Sequence, residues 1–166
     1  MKVIDKKLMD DLFAAALASP RKRSHFNLHE TLDAPIHRLV MALADGTYIQ
    51  PHRHLATEKT ELFIVLRGRC LMLTFNDAGV VQHRFELEAG GDTVAVESDP
   101  GVWHTVLPLS GDTVACEIKT GPYQKPPASD TATWAPAEND PRVPEFLAWF
   151  RVAAEGESFN YNKSEH

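Results

Sequence analysis

The chain has 166 residues, 43% of them hydrophobic, which is enough to fill one core in one domain. Its net charge of −6 comes from interspersed acids and bases, a pattern that argues against a nucleic-acid surface. No apolar stretch is long enough to span a membrane, and two cysteines, Cys70 and Cys116, make no disulfide framework.

Residues 5–18 carry Leu8, Leu12 and Ala15 or Ala16 at helical spacing, with Asp5 as N-cap and Pro20 closing the helix. The apolar run Leu12–Ala18 is too short for a secretory signal, and Asp5, Asp10 and Asp11 interrupt its approach. The chain is therefore expected in the cytoplasm. Arg21-Lys-Arg23, the one basic cluster, reads as favourable charge at the helix end. From Leu28 to Tyr123 the pattern changes to short runs rich in Val, Ile, Leu, Phe and Thr, punctuated by Gly, Asn and Asp. Strands are predicted over 37–43, 62–66, 71–75, 81–87, 93–96, 105–107 and 113–119. Both cysteines fall inside such runs and read as buried, reduced thiols. Asn76-Asp-Ala-Gly79 reads as a hairpin loop in which Gly79 supplies a positive φ. Many short strands with regular turns predict an all-β sandwich or barrel.

Residues 124–144 hold five prolines and few branched apolar side chains, and read as a surface-hugging arm. A short helix over 144–150 follows, with Phe146, Trp149 and Phe150 on one side and Gly156 as its end. That aromatic face is read as core packing, with a dimer contact as the second option. The last ten residues are polar and expected to fray.

The most informative stretch is Gly46-Thr-Tyr-Ile-Gln-Pro-His52-Arg-His54, followed by Glu61 and Gly68. Two histidines two apart on an extended backbone project from one face. Glu61 opens the next apolar run, and His104 joins from Gly101-Val-Trp-His104. Three imidazoles and one carboxylate suit one divalent ion of Mn, Fe, Ni or Zn.

These stretches resemble the two motifs of the cupin superfamily. Five residues separate Gly46 from His52 and six separate Glu61 from Gly68, as in the first motif. The gap from His54 to Glu61 is longer than the family's. Glu58 fits that gap better but leaves no glycine at the right distance downstream, so Glu61 is preferred and Glu58 is its competitor. The Gly101-x-x-His104 portion fits the second motif, although Pro100 abuts Gly101 directly and Pro108 stands where the family often has Asn.

Arg21-Lys-Arg-Ser-His25-Phe-Asn27-Leu-His29, Trp103-His104-Thr, Glu117-Ile-Lys-Thr-Gly-Pro-Tyr123 and Trp134-Ala-Pro-Ala-Glu138 extend the likeness, which is similar to WbuC-type cupins over roughly residues 20 to 140. That resemblance implies a small jelly-roll barrel, or double-stranded β-helix, with an N-terminal helix (1–20), a barrel (21–123) and a C-terminal arm and helix (124–166). It also implies one metal ion on His52, His54, Glu61 and His104, a homodimer, and a place in bacterial surface-polysaccharide (O-antigen) metabolism.

Around these ligands, the His52/His54 alternation continued backwards points Gln50 and Tyr48 inward. Tyr48 reads equally as a proton donor and as a buried, hydrogen-bonded tyrosine. Asn27 and His29 are candidates to contact a ligand or to cap a loop. Glu117 and Lys119 lie opposite Val114, Cys116 and Ile118. They face solvent unless that apolar side meets the N-terminal helix, in which case they enter the pocket. Trp103 should face away from the metal.

Three functions follow. The first is a metal-dependent enzyme, isomerase- or epimerase-like, acting on a sugar or another small polar metabolite. The second is an iron-dependent oxygenase with the same ligands. The third is a non-catalytic module binding metal or sugar, made less attractive because neither cysteine joins the cluster.

Overall fold

The computed structural model describes residues 1–55 and 59–160, so Glu58 lies outside the described residues. The order of elements is α1 (Lys6–Ala18), β1 (Arg23–Asn27), β2 (Ile36–Leu43), β3 (Glu61–Arg67), β4 (Arg69–Phe75), β5 (Val81–Glu88), β6 (Ala95–Ser98), β7 (Trp103–Pro108), β8 (Thr113–Thr120), a 3₁₀ turn (Ala128–Asp130) and α2 (Val143–Val152). The strands form a five-stranded sheet, β1-β2-β8-β3-β6, and a three-stranded sheet, β5-β4-β7. Every pairing in them is antiparallel.

Period-2 alternation decides what each strand buries. On β3, Phe63 and Val65 are buried and meet Cys70 and Met72 of β4, Leu87 of β5 and Val106 of β7. This is the layer between the two sheets. The opposite face of the five-stranded sheet offers Val40, Ala42 and Val114 to Leu12 and Ala16 of α1. Small residues there let the helix lie close. The three-stranded sheet carries its own cover: Leu71, Leu73 and Leu107 pack with Phe146 and Phe150 of α2. The aromatic face of α2 is thus core.

Local signals explain the ends of elements. The Asp5 carboxylate accepts the Leu8 N–H at 2.9 Å and starts α1 as an N-cap. Lys22 caps the other end, its ammonium 2.9 Å from the Leu17 carbonyl. Arg21 and Arg23 depart from the expected dipole role and pair with Glu138 of the C-terminal arm. Gly79 has φ +78°, and a Cβ there would come within 2.6 Å of the Trp134 ring, so the β4–β5 turn requires glycine.

Two expectations need correction. Helix α2 ends at Val152, with Ala153 as its C-cap, because that residue turns to extended backbone before Gly156 is reached. Of the last ten residues, 157–159 are held in place: the Glu157 carbonyl accepts the Val81 N–H at 2.8 Å, Ser158 bridges to Val80, and the Phe159 ring lies 5.1 Å from Phe146, while residues 161–166 lie outside the described residues. Both cysteines are buried and free, and burial pushes the Cys70 thiol up to about 12. No helix among the described residues is long and apolar enough to cross a membrane.

Candidate metal centre

His52 and His104 face each other across a two-residue antiparallel bridge, with N–H to carbonyl distances of 3.0 and 2.9 Å. The bridge extends the three-stranded sheet beyond β7. His52 bridges on its other side to Thr131 of the arm, where the Ala132 N–H reaches the Pro51 carbonyl and the Arg53 N–H the Asp130 carbonyl, each at 2.9 Å. The segment carrying His52 and His54 is therefore clamped between β7 and the Pro-rich arm. Arg53, between them in sequence, points the other way: its guanidinium lies 4.3 Å from the Trp103 ring centroid and 2.8 Å from Asp77. Trp103 also donates to Asp77, at 2.9 Å, and faces away from the imidazoles as alternation requires.

The ligand atoms of His52, His54 and His104 lie within 4.8 Å of one another. His104 shares the inward face of β7 with Val106, at the end nearer the chain reversal. Glu61 comes from the opposite sheet, on the inward face of β3 with Phe63 and Val65. Its carboxylate stands 3.1 Å from His54 Nε2 and 3.7 Å from His104 Nε2. It therefore contacts two of the three imidazoles.

The tautomers are set by backbone carbonyls. His52 Nδ1–H donates to Gln50 at 3.1 Å, and His104 Nδ1–H donates to Val102 at 2.9 Å. That leaves each Nε2 with a lone pair aimed inward, as metal-bound imidazoles require. His104 Nε2 is buried and has no hydrogen-bond partner among the described residues, which is costly unless something else occupies that direction. Burial, followed by the charge of His104, lowers the His52 pKa to about 3, so the ring stays neutral. Burial opposes charge on Glu61, but His104, His54 and Lys119 together hold its carboxyl well below the ordinary range. His104 is likewise desolvated, yet Glu61 beside it raises its pKa. A neutral His52, the unpartnered Nε2 of His104 and a buried carboxylate fit a cation.

The wall behind Glu61 belongs to β8 and β2. His37, Lys119, Glu61 and Ser98 are successive partners across β2, β8, β3 and β6 and form one row at the mouth; Leu39, Glu117, Phe63 and Val96 form the row beneath. Lys119 reaches 2.5 Å from Glu117 and 3.8 Å from Glu61. The apolar Val114 meets α1, which turns Glu117 and Lys119 into the pocket. Burial, helped by the charge of Glu61, raises the Glu117 pKa, while Lys119 opposes the rise. Burial works against the Lys119 ammonium but is outweighed by Glu117 and Glu61, so its pKa is raised.

The remaining candidates separate. The Tyr48 hydroxyl donates to the Pro136 carbonyl at 2.6 Å and its ring packs edge-on to Phe146, so it sits in the core beneath the arm, the buried, hydrogen-bonded arrangement. The Gln50 side-chain amide donates to Ala132 at 2.8 Å and so ties down the arm; its carbonyl orients His52. Asn27 is exposed on edge strand β1. His29 stacks on His37 at 4.1 Å and accepts the Arg38 N–H, so its link to the mouth is indirect. Sequence reasoning missed His37 and Lys59, which share a cleft with His54, Lys119 and Tyr123. The signal for His37 was its place on the 37-39-41-43 face of β2. A larger cavity, of about 660 Å³ beside Met1 and Arg38, holds none of these groups.

A family described as Domain of unknown function (DUF6016) matches residues 4–87. The chain belongs to the DUF6016 family. No curated protein matches it. Among solved structures, this DUF6016 chain is similar to the TT1209 protein from Thermus thermophilus, with 15% identity, TM-score 0.52, and 72% of this chain and 97% of that one covered. It is also similar to an uncharacterized conserved protein with a double-stranded β-helix domain from Klebsiella pneumoniae, with 18% identity, TM-score 0.51, and coverage of 72% and 90%. A cupin superfamily protein from Desulfitobacterium hafniense aligns at 12% identity and TM-score 0.46, over 59% of this chain and 76% of that one. At these identities the likeness to the Thermus and Klebsiella proteins is one of fold alone, the double-stranded β-helix fold.

Proposed function

We propose that this protein holds one divalent transition-metal ion on His52, His54 and His104, with Glu61 as the carboxylate ligand. Around that ion it acts on a small polar metabolite, a sugar or a relative of one. The observation that carries the proposal is the buried, unpartnered Nε2 of His104, set among imidazoles whose Nδ1 atoms face backbone carbonyls. When bound, such an ion polarises a carbonyl or hydroxyl of the metabolite. The chain's own groups do the rest. Glu61 counters the ionic charge, and Glu117, whose pKa is raised by burial and by Glu61, is placed to hold a proton beside Lys119. With Tyr48 engaged elsewhere, Glu117 is the better acid for an isomerase- or epimerase-like step. The resemblance to WbuC-type cupins suggests surface-polysaccharide metabolism as the setting.

Elemental analysis of untagged protein, purified without chelators or added metal, tests the reading. Close to one Mn, Fe, Ni or Zn per chain is expected. His52→Ala and His104→Ala should lose it, and Glu58→Ala should keep it. A folded protein that stays empty when metal is offered overturns the reading. Loss on Glu58→Ala with retention on Glu61→Ala moves the carboxylate ligand to Glu58.

A further inference from the structure

We propose that the metabolite is a small carboxylate, held at the mouth by the ammonium groups of Lys119 and Lys59 while its other end reaches the metal; this rests on the metal reading above.

Two clefts flank His54. The first, of about 50 Å³, is lined by Lys119, Lys59, His37 and Tyr123. The second, of about 140 Å³, is lined by Lys59, Lys125 and Asp130. The acid in that second cleft is already engaged, with the Asp130 carboxylate 3.4 Å from the Leu55 N–H. Three lysines therefore gather around one histidine in a chain whose acids outnumber its bases 23 to 17. Such a concentration is not expected from composition, and in a concave, partly desolvated site it attracts and orients anions.

The inner charges lead to the same conclusion. Glu61 and Glu117 face Lys119 and, on the metal reading, a divalent ion. Among the described residues Lys59 then leaves the mouth with surplus positive charge, which a carboxylate neutralises and a neutral polyol does not. Charge-assisted hydrogen bonds from the two ammonium groups would fix the carboxylate. Size narrows the class further. A water molecule takes about 30 Å³ of liquid, so these clefts suit a carboxylate group and a few atoms attached to it.

The test uses the full chain loaded with Co²⁺, whose visible absorption reports on its ligands. L-lactate and 1,2-propanediol serve as probes that differ at the carboxylate. Lactate should give a saturable spectral change, and propanediol should need far higher concentrations. Lys59→Gln and Lys119→Gln should each weaken lactate roughly tenfold with Co²⁺ still one per chain, and Lys119→Arg should recover most of the affinity. Lys59→Gln guards against misfolding, because among the described residues the Lys59 ammonium bonds only to the outlying Pro122 carbonyl, at 3.5 Å. Equal affinity for the two probes, or unchanged lactate affinity in both glutamine variants, overturns the proposal. If wild-type protein takes up no Co²⁺, the metal reading falls separately. Calorimetry of lactate on the metal-free chain then decides the anion site, and absence of binding overturns it.

Discussion

His52 shows how one side chain links burial to pH dependence. Its pKa falls from 6.5 to about 3, mainly through burial and then through the charge of His104. An unfolded chain protonates this imidazole below pH 6.5, and the folded chain refuses the proton until about pH 3. Stability is therefore lost as pH falls through that window, by roughly 1.4 kcal/mol per pH unit from this group. Glu61, with a lowered pKa, adds to the loss at the acidic end. His104, with a raised pKa, acts the other way: its contribution is present below pH 6.5 and fades as pH rises through its folded value. Urea unfolding of metal-free protein from pH 7 to pH 4 should thus be steeper in pH for the wild type than for His52→Leu. Equal slopes would mean that His52 titrates in the fold as it does in the open chain. The imidazole cluster was legible because two-residue spacing on extended backbone shows in sequence. The inward turn of Glu117 and Lys119 was not, because β8 is covered on both faces and only α1, about a hundred residues away in the chain, decides which face is which.

At the scale of elements, the arm does more than cover a surface. It supplies Thr131 as a partner for His52, takes hydrogen bonds from Gln50 and Arg53, and receives the Tyr48 hydroxyl. Its prolines made it readable as an arm. Its pairing with the ligand segment was invisible, since a contact across about eighty residues leaves no periodic trace. Strand β1 escaped for a related reason: Arg-Ser-His-Phe-Asn shows no alternation, and as an edge strand it buries little. Two substitutions separate the arm's roles. Ala132→Pro removes the N–H that bonds to Pro51 and should weaken Zn²⁺ roughly tenfold in a chelator competition without altering a ligand. Tyr48→Phe removes the bond to Pro136 and should cost about 1 kcal/mol in urea unfolding. Metal content of Tyr48→Phe should stay at the wild-type level, and a loss of metal there would put the phenol back in the site.

Over the whole molecule, the cluster under α2 joins what the sequence divides. Tyr48 from the segment before His52, Trp103 and Leu107 of β7, Ala132 and Ala135 of the arm, and Phe146 and Phe150 of α2 are buried together. Phe146 is at its centre, 0% exposed, with the rings of Tyr48, Trp149, Phe150 and Phe159 within 6.0 Å. Phe146→Ala should therefore destabilise the chain by about 3–5 kcal/mol, read as a lower midpoint in thermal or urea unfolding. The arm and β7 position His52 and His104, so loosening this cluster should also weaken metal binding, although Phe146 touches neither ligand. Added metal should recover part of the lost stability, because it binds only the folded state. Circular dichroism in the far and near ultraviolet should follow one transition if α2 belongs to the common core. A separate early loss of helix in Phe146→Ala, with metal affinity untouched, would instead make α2 an appendage and leave the arm to hold the site alone.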